Sequence, residues 1–330
     1  MPAGPGPTPL PRMRGVCWEA AGPVDRSRLT PLRQLGVDWI SQTPFGWCPS
    51  LAAPEVRLVT RHVLWGETDE GLAETARLAR ALEIKTLLKP HLWVRGGWVG
   101  DIDMKSEADW EAWFSSYQAF ILHYAELARR EGFAGLAVGT ELRHAARRTA
   151  DWRRLIRRVR EVYRGPLTYC ANWGEEGEVA FWDDLDFIGV QAYYPLTAAP
   201  RPTLDQMRAG WGPIVARLGT LARRTRKTIV FTEVGYKSVA GSAAAPWKWD
   251  VDGAVNLELQ RDAYRAMFES VWSQPWLGGT FLWKWHPDPA ARSSWWQREG
   301  PDRIQRDFTP QGKPALEVVR EFYAGGRATR

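Results

Sequence analysis

Two glutamates in this sequence stand in the same local setting. Residues 228–231 read Thr-Ile-Val-Phe, all β-branched or aromatic, and Glu233 appears where that apolar run stops, with Gly235 marking a turn. The segment Gly135-Leu-Ala-Val-Gly-Thr-Glu-Leu-Arg143 repeats the design and leaves Glu141 at its end. Parallel β/α barrels carry their chemistry at the C-terminal ends of such buried strands. Two carboxylates facing each other across a barrel mouth at about 5 Å would suit retaining glycoside hydrolysis. One attacks the anomeric carbon; the other protonates the leaving oxygen and later activates water. The acid must hold its proton near neutral pH, which an apolar surround and an anionic neighbour both favour. Either glutamate alone could equally be a salt bridge at a strand end, so the matched pair carries the argument.

The elements around them alternate. Strands are expected at 15–18, 37–42, 84–93, 133–140, 167–171, 187–193, 228–232 and 279–285. Helices are expected at 27–35, 70–82, 204–223, 256–272 and 314–322, an arginine-rich one within 143–164, and a long one after Ser106, where Ser106-x-x-Asp109 resembles a capping box. A short helix is expected at 178–182, and a long aromatic loop follows the second strand. Eight β/α units with short, continuously apolar strands predict a parallel sheet covered by helices, closed as a single (β/α)8 TIM barrel. A doubly wound open sheet is the runner-up, but no Gly-x-Gly-x-x-Gly follows the first strand. The expected organisation is a Pro/Gly-rich N-terminus at 1–13, a catalytic domain at 14–323 and a tail at 324–330.

Composition narrows the function class. The 330 residues are 45% hydrophobic and 25% charged, ordinary for a globular chain. The net charge of +6 comes largely from arginines in the segment 143–164. There Trp152, Leu155, Ile156, Val159 and Val162 fall at helical spacing with arginines between them, which reads as an amphipathic helix with a basic outer face. No nucleic-acid motif accompanies it. The three cysteines are widely spaced and the five histidines do not cluster, so neither a metal nor another cofactor is expected. No run of about 18 apolar residues predicts a membrane span, and the N-terminus lacks the apolar centre of a signal peptide. A cytoplasmic monomer acting on an oligosaccharide or polysaccharide, with no nucleic-acid or membrane partner, is the expectation.

The residues at strand ends are polar, acidic and aromatic. Twenty tryptophans occur in the chain, and several stand beside Gly or Pro at strand ends, among them Trp18, Trp98, Trp173, Trp283 and Trp285. Indoles pack cores, and they also stack on the apolar faces of sugar rings in aromatic-lined clefts. The remaining strand-end candidates are Glu19, Gln42, Lys89, His91, Thr140, Asn172, Gln191, Tyr193 and Tyr194. Glu175 and Glu176 fall in a polar loop and read as solvated.

Several short pieces, in order, resemble glycoside hydrolases of clan A, and within it family 113, the β-mannanases. They are Leu87-Leu-Lys-Pro-His91, Gly97-Trp98-x-Gly-Asp-Ile102, Gly139-Thr-Glu-Leu142, Gln191-Ala-Tyr-Tyr-Pro195, Thr232-Glu-Val-Gly-Tyr236 and Phe281-Leu-Trp-Lys-Trp285. The resemblance implies that Glu141 is the acid/base and Glu233 the nucleophile. It implies that Tyr193 hydrogen-bonds the nucleophile, that Trp283 floors the −1 sugar site, and that Lys89 and His91 line the negative subsites. Trp18, Trp98, Thr140, Asn172 and Trp285 complete the expected substrate contacts. Two positions depart from the pattern. Thr140 stands where most of the clan has an asparagine that contacts the sugar 2-hydroxyl, with Asn172 a candidate substitute, and Val99 stands where an arginine is expected. The 2-hydroxyl is where mannose and glucose differ, so the same mechanism on another β-linked glycan is the nearest alternative. A non-catalytic carbohydrate-binding barrel is the alternative from another class, though binding alone needs no carboxylate pair.

Overall fold

The computed structural model describes residues 12–59, 61–251, 253–288 and 303–325. In chain order the strands are β1 (Met13–Trp18), β2 (Trp39–Gln42), β3 (Phe45–Cys48), β4 (Arg57–Leu58), β5 (Lys85–Leu88), β6 (His91–Val94), β7 (Gly135–Thr140), β8 (Leu167–Asn172), β9 (Ile188–Gln191), β10 (Ile229–Val234) and β11 (Leu277–Trp285). The helices are α1 (Arg26–Leu35), α2 (Asp69–Arg80), α3 (Glu107–Glu131), α4 (Thr149–Val162), α5 (Leu204–Thr225), α6 (Leu257–Val271), α7 (Arg303–Arg306) and α8 (Ala315–Gly325). Eight strands close a parallel barrel in the order β1-β11-β10-β9-β8-β7-β5-β2, the TIM barrel expected from the alternation. Of the expected N-terminal and C-terminal segments, residues 1–11 and 326–330 lie outside the described residues; Met13 already belongs to β1, and 324–325 to α8.

The expected third strand at 84–93 is divided. Pro90 has no N–H to give a sheet ladder, so the barrel strand β5 stops at Leu88. The chain resumes as β6 and pairs in parallel with β3, Phe45 opposite His91 and Trp47 opposite Trp93. With β4 these form a small second sheet, β4-β3-β6, where a loop was expected after the second strand. The expected helix at 178–182 is instead a single 3-10 turn, Trp182–Asp184.

The helices follow their local signals. Ser106 caps α3 by accepting from the Asp109 N–H at 3.1 Å, and Gly132, at φ +69°, ends it. On α4, Trp152, Leu155, Ile156 and Val159 are buried. Its arginines meet carboxylates: Arg158 pairs with Glu161, Arg160 with Asp186 at 2.6 Å, and Arg153 with Asp184 at 3.4 Å. The basic face is therefore laced with acid.

The barrel closes between β1 and β11, and α8 holds that seam. The Tyr323 hydroxyl lies 2.9 Å from the Gly15 carbonyl oxygen and 2.8 Å from Thr280 Oγ1, one on each strand. Arg14 bridges Asp38 at 2.7 Å and the Tyr323 carbonyl at 2.9 Å. Gly279 stands on the same seam at φ +149°, where a Cβ would meet the Met13 carbonyl oxygen at 2.3 Å, so only glycine lets the strands approach. Among the described residues, no helix is long and apolar enough to cross a membrane.

Candidate active site

Every residue of β10 is buried, and the strand delivers Glu233 to the barrel mouth with 6% of its surface exposed. Lys89, just beyond β5 and wholly buried, makes a hydrogen-bonded ion pair with Glu233 Oε1. The Tyr193 hydroxyl donates to Oε2 at 2.7 Å. Burial pushes the Glu233 carboxyl up, but the Lys89 charge and the hydrogen bonds from Lys89, Tyr193 and Gln191 outweigh it and hold the group below its ordinary value. Burial likewise pulls Lys89 down, and the charge of Glu233 more than restores it. Glu233 is thus a buried, aimed anion, suited to attack rather than to proton donation.

Glu141 follows β7 at φ +56°, a left-handed conformation that costs a residue with a Cβ about 1 kcal/mol or more. Its N–H donates to the Cys170 carbonyl at 2.8 Å, and its own carbonyl accepts from Arg143 N–H at 3.0 Å, which fixes the turn. The carboxylate has only long contacts: Trp98 Nε1–H and His91 Nε2 each lie 3.5 Å from Oε2. Its side chain is also the more exposed of the two glutamates, 16% against 7%. Arg143, above the Trp98 ring at 5.1 Å and paired with Asp101, braces that indole. Tyr193 reports on both acids. Burial pushes its hydroxyl well above the ordinary range, and Glu233 and Glu141 both add to the shift. Both carboxylates thus act on the one phenol.

The sequence matches the model of Glycoside Hydrolase Family 113 over residues 18–323. The chain belongs to Glycoside Hydrolase Family 113. Among solved structures it is similar to the family 113 β-mannanase AaManA of Alicyclobacillus acidocaldarius, in complex with ManMIm, at 32% identity and a TM-score of 0.83, covering 96% of this chain and 98% of that one. A second family 113 β-1,4-mannanase structure matches at 29% identity and a TM-score of 0.82, covering 96% and 99%. A β-D-glucuronidase for Dictyoglomus thermophilum shares the fold alone, at 15% identity and a TM-score of 0.62, covering 95% of this chain and 50% of that one. No curated protein matches the sequence. The chain is accordingly a glycoside hydrolase.

The family 113 barrel brings most of the expected site residues to one mouth, each in a particular state. Trp283 lies half-buried beneath Lys89, whose Nζ is 5.6 Å from its ring centroid, and its peptide bond to Lys284 is cis. His91 stacks on Phe45, and Phe45 on Trp93, which is 58% exposed. Thr140 is buried and gives its hydroxyl to the Pro90 carbonyl at 3.1 Å. Asn172 gives its amide to Glu175 at 3.3 Å. Trp18 and Trp285 are both buried within the core cluster.

The loop acids differ from expectation. Glu176 is 2% exposed and pairs with Arg217 at 3.2 Å. Glu175 is half-buried, and burial chiefly, opposed by Asn172 and Arg143 and reinforced by Glu141, pushes it up to about 7. Neither is solvated, because the loop folds back over α5 and the strand end. Sequence reasoning also missed Glu67, on the 3-10 turn Trp65–Glu67, which burial and Glu19 push up to about 7 against the pull of Lys284. Its only sequence signal is an acid beside Trp-Gly between a loop and a helix. Among the described residues, no group of three or more potential metal ligands comes together.

Proposed function

We propose that this glycoside hydrolase cleaves β-1,4-mannosidic bonds with retention of configuration, Glu233 acting as nucleophile and Glu141 as acid/base. The asymmetry between the two carboxylates carries the assignment. Glu233 is buried, ionised and clamped on both oxygens by Lys89 and Tyr193, so it is aimed at a single atom. Glu141 is more open and only loosely bonded, as a residue must be that releases a proton in one step and recovers it from water in the next. Mannan as substrate is supported by the family 113 structures, 29–32% identical and described as β-mannanases.

A second reading keeps the mechanism and changes the sugar. Because the Thr140 hydroxyl is given to Pro90, a gluco-configured β-glycan is the alternative at the 2-hydroxyl. Product analysis on β-1,4-manno- and gluco-oligosaccharides of matched lengths separates the two. Glu233→Ala should lose about 10⁴-fold or more in kcat and, with azide, regain turnover as the α-glycosyl azide. Substantial residual hydrolysis, or rescue giving the β-azide, would remove Glu233 from the nucleophile's role.

A further inference from the structure

Arg143 stands two residues beyond Glu141 on the same strand-end turn, its N–H bound to the Glu141 carbonyl at 3.0 Å. A guanidinium so placed is a hazard to an acid/base residue. Turned onto that carboxylate it would favour the ionised form, and the leaving oxygen would go unprotonated. The buried Nε–H of Arg143 has no hydrogen-bond partner among the described residues, so the side chain has a donor to spare for such a contact.

Three neighbours hold it elsewhere. Among the described residues its ion pairs go to Asp101, which ends the 3-10 turn Val99–Asp101, and to Glu175 Oε1 at 3.7 Å. Its guanidinium lies over the face of Trp98 at 5.1 Å, and the same indole turns its Nε1–H edge to Glu141 Oε2 at 3.5 Å. That indole packs against the backbone at Gly100, where a Cβ would meet the ring at 2.1 Å. Glu175 is aimed in turn by the Asn172 amide, which donates to Oε1 at 3.3 Å. The other ionisable groups on Glu141 are His91, 3.5 Å from Oε2, and the Tyr193 phenol. His144, next along the turn, faces Asp103 at 3.6 Å instead. Two carboxylates against one guanidinium leave the Arg143 cluster net negative, which helps Glu141 keep a proton. Burial chiefly, opposed by Asn172 and Arg143 and reinforced by Glu141 and Glu178, puts Glu175 at about 7. Its charge therefore arrives as pH rises toward the range in which the acid is in danger of losing its proton.

We propose that Asp101 and Glu175 are positioning residues for the acid/base step: they hold the Arg143 guanidinium on Trp98 and off Glu141, leaving that carboxyl free to carry its proton to the leaving oxygen. This rests on the role proposed above for Glu141.

The experiment follows kcat/KM against pH on two substrates of the same sugar chain. One is the plain β-linked tetrasaccharide, whose leaving oxygen needs a proton; the other is a dinitrophenyl glycoside, whose leaving group does not. The proteins are wild type, Asp101→Asn, Glu175→Gln, Arg143→Met, and each carboxamide variant combined with Arg143→Met. On the tetrasaccharide the alkaline limb should move down by about 1 pH unit or more in both carboxamide variants. Adding Arg143→Met should bring it back, since one carboxylate and one guanidinium have then gone together. The dinitrophenyl substrate should show no such shift. The size of the return decides between release of Arg143 and the mere loss of a nearby charge. Loss of charge alone makes Arg143→Met raise the limb equally in every protein. Release makes it raise the limb by about 0.5 pH unit or more beyond its effect in wild type. Equal effects, a limb that stays in place, or a parallel loss on both substrates at every pH, the mark of a purely structural role, would overturn the proposal. Glu141→Gln tells this failure from that of the parent reading. If it still cleaves the tetrasaccharide, the acid/base assignment falls and the proposal with it. If it spares only the dinitrophenyl substrate while the carboxamide variants leave the limb unmoved, the assignment stands and the proposal alone falls.

Discussion

Replacing Lys89 by methionine keeps the length of the side chain and removes the charge that holds Glu233 ionised. Lys89 is fully buried and Glu233 nearly so, so water can do little for the carboxylate left behind. Deleting one partner of a buried pair costs about 3–5 kcal/mol. In the wild type Glu233 lies below its ordinary 4.5, so its contribution to stability is complete above that pH and is lost only as pH falls through the lower folded value. In Lys89→Met burial remains and its counterweight is gone, so Glu233 rises above 4.5. Between 4.5 and that new value the folded protein holds a proton that the unfolded chain has lost, so the penalty grows with pH there and is complete above it. Lys89 itself is raised above 10.5, so its own contribution stays constant from pH 4.5 to 8. The stability gap between the two proteins should therefore be small at pH 4.5 and widen toward pH 8. If roughly 3 kcal/mol is relieved by protonation, the acidic limb of kcat/KM moves up by about 2 pH units. Urea unfolding at pH 4.5, 6 and 8, with a pH–rate profile on an aryl glycoside, measures both. The double variant Lys89→Met/Glu233→Gln has no charge to strand and should recover about 2 kcal/mol or more at pH 8. A gap that is flat in pH, or an acidic limb that stays in place, would refute the electrostatic account of this pair.

Two further outcomes follow from the same geometry. Tyr193→Phe removes the 2.7 Å hydrogen bond to Glu233 Oε2 and should lower kcat about 10- to 100-fold with little change in KM, while its acidic limb shifts up by less than that of Lys89→Met. Trp247, in the loop after β10, packs on Trp173 at 4.8 Å beside Asn172, on the Glu141 side of the cleft; Trp247→Ala should raise KM several-fold for long chains and leave disaccharide products of the same configuration.

What could be read from residue order follows the range of the forces involved. The strand-end glutamates were legible because an apolar run broken by one carboxylate is a local pattern, and the alternation of strands and helices is local as well. The second sheet was not, because β3 and β6 recognise each other across more than forty residues and one of them is only a continuation of β5 beyond Pro90. Lys89 was expected near the sugar; that it neutralises Glu233 depends on β5 and β10 facing each other inside a closed ring. Glu67, Glu175 and Glu176 look alike on paper, each an acid in a polar stretch, and only burial separates them from solvated surface charge. The left-handed turn at Glu141 has no sequence signature either, since glycine would be the ordinary choice there.

The Tyr323 clasp bears on how such a chain is made. The hydroxyl that spans Gly15 and Thr280 arrives on the last helix, and the strands it joins are the first and last of the barrel. During synthesis, β1 emerges some 260 residues before its partner β11. Until then β1 presents an unpaired edge with apolar faces, the kind of surface that pairs with the wrong chain. The ring can close only when β11 is out, and the closure is secured only when Tyr323 follows. A chain cut before that residue keeps both strands of the seam without their clasp, and it should bind chaperones more than one that includes Tyr323.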